Sequence, residues 1–242
     1  MKSKWVIGDL HGGLRGLEQI LERAPIKDDD ELIFLGDYVD GWSDSAALVS
    51  RLLELEQQYT CVFIKGNHDV RCYNWLKKGE KDEVWLRHGG TSTIESYATV
   101  PEPTRNAHIL FFERLHNYYV DEANNLFIHA GFSTEAGPGN DFIGRMPNWD
   151  RTLWKTAMMM HERVLFNERL MPKKLKLYQE IFIGHTPTLF FGNGTPMNAC
   201  NVWNLDTGAA YTGSVSIMNV ATKRFFQSDP LIKLYPDEKG RN

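Results

Sequence analysis

Five short apolar runs in this chain each give way to polar residues able to bind a cation. The motifs are Gly8-Asp9-Leu10-His11-Gly12, Gly36-Asp37-Tyr38-Val39-Asp40, Gly66-Asn67-His68-Asp69, His129-Ala130-Gly131 and Gly184-His185-Thr186. Asp9 and His11 stand two positions apart. In an extended segment such side chains face the same side, so both can serve one ion. Carboxylate, imidazole and amide oxygen together suit borderline divalent ions such as Mn2+, Fe2+ or Zn2+. No thiolate belongs to the set, which argues against a structural zinc site. Taken singly, each motif has a plainer reading: an aspartate after a glycine is commonly a turn residue, and a histidine at a strand end is commonly a satisfied polar group. Five in series, each behind an apolar run, point to one shared metal site at the rim where these motifs meet.

The elements that must hold these residues are legible in the hydrophobic pattern. Trp5-Val6-Ile7, Leu32-Ile33-Phe34-Leu35 and Val62-Phe63-Ile64 read as strands. Leu14, Leu17, Ile20 and Leu21 have the spacing of an amphipathic helix, and a second helix is expected from Asp44 to about Gln57 behind a cap at Ser43. Together they predict a βαβαβ unit whose continuous apolar strands are buried on both faces. In open α/β sheets ligands bind beyond the carboxyl ends of the strands, where all five motifs would lie. Residues 70–125 read as mostly helical, with Pro101 and Pro103 ahead of a helix around Ala107–Leu115. Leu126-Phe127-Ile128 and Ile181-Phe182-Ile183 are two further strands. A long loop is expected over 133–149, helix over 150–170, and β-structure over 198–229 with a hairpin near Thr222-Lys223. A single domain over residues 1–242 accommodates all of this, since no repeat or linker interrupts the chain.

The composition is that of an ordinary globular protein, with 42% hydrophobic and 24% charged residues among 242. A net charge of −4 gives no general pull towards nucleic acid or anionic membranes. No run approaches the ~20 apolar residues of a membrane span, and the N-terminal apolar stretch is too short for a signal peptide. The three cysteines, Cys61, Cys72 and Cys200, form no C-x-x-C pair. A reducing, cytoplasmic setting is therefore expected.

The series G-D-x-H-G, G-D-x-x-D, G-N-H-D, H-A-G and G-H-T-P resembles the calcineurin-like metallophosphoesterases. Trp85-Leu86-x-x-Gly89-Gly90-Thr91 and Leu205-Asp206-Thr207-Gly208-Ala209 resemble their bacterial and phage serine/threonine phosphoprotein phosphatase branch. The resemblance implies an α/β fold, a four-layer α/β/β/α sandwich of two mixed sheets. It implies two divalent ions, manganese first and iron, zinc, nickel or cobalt as alternatives. Asp9 and His11 would bind the first ion, Asp37 would bridge, and Asn67, His129 and His185 would bind the second. A hydroxide held between the ions would attack phosphorus directly. His68 would protonate the leaving oxygen as general acid, oriented by Asp40. The implied enzyme is a phosphoric ester hydrolase of the protein phosphatase kind, acting on a phosphorylated protein or a small phosphoester.

The chain departs from that family where substrate is held. The phosphoprotein phosphatases continue their second motif as Asp-Arg-Gly, and the arginine grips phosphate; here the run is Asp40-Gly41-Trp42. A guanidinium binds phosphate bidentately, and nothing adjacent replaces it. Arg71, Arg145 and Arg151 are the candidates to supply the charge, while Tyr38 and Trp42 are candidates to stack on a substrate ring, with Tyr211 nearby. The third motif ends in Asp69, where protein phosphatases usually carry Glu and bacterial diadenosine tetraphosphatases carry Asp. A nucleotide or dinucleoside-polyphosphate hydrolase, or a phosphodiesterase, is thus the alternative enzyme. An inactive phosphate-binding scaffold is the remote one.

Overall fold

The computed structural model describes residues 2–140 and 146–241. The first seventy residues form the expected unit: β1 (Lys4–Ile7), α1 (Leu14–Arg23), β2 (Glu31–Phe34), α2 (Ser45–Gln58) and β3 (Thr60–Phe63). Next come helices α3 (Asn67–Lys78), α4 (Glu83–Trp85), α5 (Thr91–Ser96) and α6 (Glu102–Glu113), then strands β4 (Tyr118–Val120) and β5 (Leu126–Ile128). The remainder holds α7 (Met146–Trp149), α8 (Thr152–Phe166), β6 (Ile181–Ile183), β7 (Met197–Ala199), β8 (Val202–Asn204), the hairpin β9 (Ser216–Asn219) and β10 (Phe225–Gln227), and α9 (Leu231–Leu234).

Two five-stranded sheets result, in the orders β10-β9-β1-β2-β3 and β4-β5-β6-β8-β7. In the first sheet parallel β1-β2-β3 runs to one edge and β9 and β10 complete the other side by antiparallel pairing; in the second, parallel β5-β6-β8 lies between antiparallel β4 and β7. The period-2 alternation of side chains explains why they stack. Trp5, Ile7, Leu32 and Phe34 point to the helices of their own sheet, while Val6, Ile33 and Leu35 point the other way. Leu126, Ile128, Ile181 and Ile183 face α8, and Phe127 and Phe182 meet Val6, Ile33 and Met218 between the sheets. The rings of Phe127 and Phe182 stack at 5.0 Å, and burying each stabilises the sandwich by roughly 1.5–3 kcal/mol. This is the four-layer α/β/β/α arrangement of two mixed sheets.

Three local expectations need correction. β3 is an edge strand with Thr60 exposed, so only β1 and β2 of the first unit are sealed on both faces. The helix expected at Ala107 starts at Glu102, because Pro103 fits the first turn, where no amide hydrogen is required. The stretch 133–149 is not all loop, since α7 occupies its end. Among the described residues no helix is long and apolar enough to cross a membrane.

His108 on α6 is buried, with Nε2 3.0 Å from the Ser50 hydroxyl and Nδ1 2.9 Å from that of Tyr97. Burial disfavours its charged form and pushes its pKa from 6.5 down to about 4. The unfolded chain therefore binds the extra proton first. The stability from neutral His108 is complete above about pH 6.5 and is lost as the pH falls towards 4. His108→Gln should lose less stability than wild type between about pH 7 and about pH 5. Denaturant titration of both proteins checks this, and parallel losses would refute it.

Candidate metal centre

Five strand ends, three from one sheet and two from the other, deliver the polar motifs to one place. Asp9 and His11 follow β1, Asp37 and Asp40 follow β2, and Asn67 and His68 open α3 behind β3. His129 follows β5 and His185 follows β6. All eight side chains are buried. His11, Asp37, Asp40 and His185 have φ between 48° and 73°. That left-handed conformation costs a non-glycine residue roughly 1–2 kcal/mol and is characteristic of functional sites. Gly184 shows how tightly the loops pass: a Cβ there would lie 2.0 Å from Asp9 Oδ1.

Asp37 is the centre of the arrangement. Its Oδ2 lies 3.6 Å from His11 Nε2 and 3.3 Å from His129 Nε2. Asp9 Oδ2 is 3.8 Å from His11 Nε2, and Asn67 Oδ1 is 3.2 Å from His129 Nε2. Two groups of potential ligand atoms, each within 4.8 Å of one another, share Asp37: it joins His11 and His68 in one, and His129 and His185 in the other. Two of the histidines are pre-set for the task. His11 Nδ1 sits 2.8 Å from the Asp40 carbonyl oxygen and His129 Nδ1 sits 2.8 Å from that of Leu35. Donating there turns each Nε2 lone pair towards the centre, as a metal ligand requires.

The charges show the strain of gathering these groups out of water. Burial would lower the His11 pKa, but its hydrogen bond to Asp9 and the charges of Asp37 and Asp9 prevail and push it up to about 9. His129 rises to about 10 against its burial, through Asp37. Burial opposes ionisation of Asp37, yet the neighbouring His129 and His68 hold its carboxyl well below the usual range. His185 goes the other way: burial and the adjacent His129 push it down. A concentration of acceptors that recruits protons onto imidazoles is one that divalent cations can satisfy instead. The donor set, the shared carboxylate and the fixed tautomers all fit two such ions.

The family model for calcineurin-like phosphoesterases matches residues 4–210. The chain belongs to this family. The asymmetrical bis(5'-nucleosyl)-tetraphosphatase PrpE of Oceanobacillus iheyensis is 23% identical over 237 residues, covering 91% of this chain and 89% of that protein. A serine/threonine-protein phosphatase of Caenorhabditis elegans is 36% identical, but over only 86 residues, 35% of this chain and 19% of that one. Among solved structures, a candidate diadenosine tetraphosphatase superposes with a TM-score of 0.63 at 16% identity, covering 93% of this chain and 92% of that one. At that identity the likeness speaks for the fold.

Around the centre of this phosphoesterase stand residues whose positions the motifs alone do not reveal. Asp40 Oδ2 accepts from His68 Nδ1 and from Trp85 Nε1, both at 2.6 Å, and Oδ1 accepts from the Thr93 hydroxyl at 2.6 Å. Trp85 belongs to a segment the sequence marks out, but its indole N–H contact is visible only in three dimensions. Asp69 braces the second motif from below, accepting from the amides of Asp37, Tyr38 and Gly66 at 2.7–2.9 Å. Burial and the Asp37 charge push its pKa up to about 7. Asp206 is buried beside Asp9, and burial together with the Asp9 charge pushes it up to about 8.

A cleft opens on the Asn67, His68 and His185 side of the centre, and Arg71, Arg151, His88, Trp149 and Arg241 line it. Two of the three sequence-nominated arginines are therefore at the site, and Arg145 lies outside the described residues. Arg71 is held by Asp82, with Nη1 3.0 and 2.9 Å from its two oxygens, and lies over the Trp149 ring. Arg151 Nε is 3.4 Å from His185 Nε2. Arg241 was not nominated, because nothing near it in the sequence forms a motif. Tyr38 must be corrected: it is fully buried, packed on Phe63 and Phe111, with its hydroxyl donating to the Ile64 carbonyl at 2.7 Å. No substrate ring can reach it. Trp42 is likewise buried, stacked on Tyr235 and donating to the Ala209 carbonyl. The exposed aromatic at the cleft is Trp149.

Proposed function

We propose that the chain is a dinuclear-metal phosphatase that hydrolyses phosphate monoesters, on a phosphoprotein or a small molecule. The observation that carries the reading is the Asp37 carboxylate shared between two ligand groups, with the His68–Asp40 pair against one of them. Asp9, His11 and Asp37 would hold one divalent ion, and Asp37, Asn67, His129 and His185 the other, with Mn2+ the first choice for this oxygen-and-nitrogen set. When bound, two such ions supply Lewis-acid charge to the phosphoryl oxygens and bring the pKa of water towards neutrality. His68 Nδ1 is taken by Asp40, so Nε2 is the atom left to carry a proton to the leaving oxygen. The Asp40 carboxylate fixes the ring through Nδ1, and its own bonds to Trp85 and Thr93 keep it in place. Arg151 and Arg241 at the cleft, with Arg71 ion-paired to Asp82 beside them, suit a phosphoryl group carrying two negative charges better than a singly charged diester.

A second reading is hydrolysis of a dinucleoside polyphosphate. It is favoured by the near full-length match to a bis(5'-nucleosyl)-tetraphosphatase, by several arginines along one cleft, and by exposed Trp149, on which a base can stack. Rates on an aryl phosphate, its bis-aryl diester and a dinucleoside tetraphosphate, each with added Mn2+, separate the readings. Monoester turnover well above the other two is expected. Dominant tetraphosphate cleavage would move the assignment to the second reading, and dominant diester cleavage would sink both.

A further inference from the structure

We infer that the segment Glu238–Arg241 straps over the second motif and that Arg241 supplies the phosphate-gripping guanidinium that position 41 cannot carry. The inference rests on the phosphatase reading of the site. Position 41 is closed to an arginine by its backbone. Gly41 has φ +147°, and a Cβ there would lie 2.9 Å from the His11 carbonyl oxygen. A side chain would strain the turn that fixes His11 and Asp40.

The strap lies directly on this turn. Glu238 accepts from the Ser43 amide at 2.9 Å and from the Ser43 hydroxyl at 2.6 Å. Gly240 packs on the Trp42 ring, and the Arg241 amide donates to the Ala210 carbonyl at 2.7 Å. These anchors send the Arg241 side chain into the cleft shared with Asn67, His68 and His185. There Nη2 is 3.3 Å from His88 Nδ1 and the guanidinium lies over the Tyr211 ring. Among the described residues its partners are an imidazole and a phenol, whereas Arg71 is neutralised by Asp82. Arg241 therefore presents its charge and its donor fork to an incoming phosphate. The cation enters the cleft beside His68 from a segment 200 positions beyond Gly41.

The test is calorimetric binding of inorganic phosphate to Mn2+-loaded wild type, Arg241→Ala, Arg241→Lys and Glu238→Ala, with metal content measured on each. Loss of a bidentate charged contact should weaken phosphate binding by roughly tenfold or more in Arg241→Ala. Lysine should restore part of it, since it keeps the charge and loses the fork. Glu238→Ala, which keeps the arginine and loosens the strap, should weaken binding less than Arg241→Ala. Metal content should match wild type throughout. Equal phosphate affinity in wild type and Arg241→Ala overturns the inference, as does absence of phosphate binding by the loaded wild type. Failure of the phosphatase reading looks different: wild type would bind phosphate through Arg241 and yet hydrolyse no monoester.

Discussion

Asp37→Asn is expected to lower affinity for the second divalent ion by more than about 100-fold and to abolish turnover. Loss of a residue that merely orients a ligand already costs 10–100-fold, and Asp37 is placed to be a ligand to both ions. The substitution is nearly isosteric. Asparagine can still accept from the His68 amide, as Asp37 Oδ1 does at 3.0 Å, so the turn before α3 should persist. What disappears is the negative charge. That charge stands 3.6 and 3.3 Å from two imidazole nitrogens and is a main reason His129 is raised to about 10. Isothermal titration with Mn2+, paired with turnover of an aryl phosphate, measures both effects. Binding of two ions with near-normal turnover would refute the bridging role of Asp37.

How far the sequence could be read depended on how local each feature is. The metal-centre candidates sit at the ends of strands, and each strand end writes its own short motif, so Asp9, His11, Asp37, Asn67, His129 and His185 are all visible without a structure. The βαβαβ unit is visible for the same reason. Features that depend on which elements meet are not. Tyr38 lies in a polar loop motif, and nothing in that motif says that Phe63 and Phe111 close over its ring. Trp85 stands in a recognisable segment, but its hydrogen bond to Asp40 spans 45 positions. Arg241 is the extreme case, an unremarkable basic residue made relevant by a strap held through Glu238 and the Ala210 carbonyl. β4 has only three residues and one neighbour in the sheet, too little for a periodic signal.

His68→Asn is expected to slow esters of poor leaving groups by roughly 10²–10⁴-fold, the usual worth of a general acid, and activated aryl esters far less. A poorly stabilised alkoxide needs a proton as its bond to phosphorus breaks, whereas a nitrophenolate leaves without one. Plotting log kcat against leaving-group pKa for both proteins measures this, and the variant should show the steeper dependence. The experiment also decides a question left open by the geometry, because His68 stands with His11 and Asp37 in a group able to hold an ion. As a ligand, His68 would affect every ester equally, and the variant would lose metal. As the acid, it would leave metal content intact and give losses graded by leaving group. The bond from Nδ1 to Asp40, the only carboxylate of the second motif that faces away from the shared centre to meet Trp85 and Thr93, favours the acid. Two of the candidate ligand histidines, His11 and His129, turn Nδ1 to a backbone carbonyl instead. His68 turns it to the Asp40 carboxylate, which fixes the ring and leaves Nε2 as the atom that can pass a proton to the leaving oxygen.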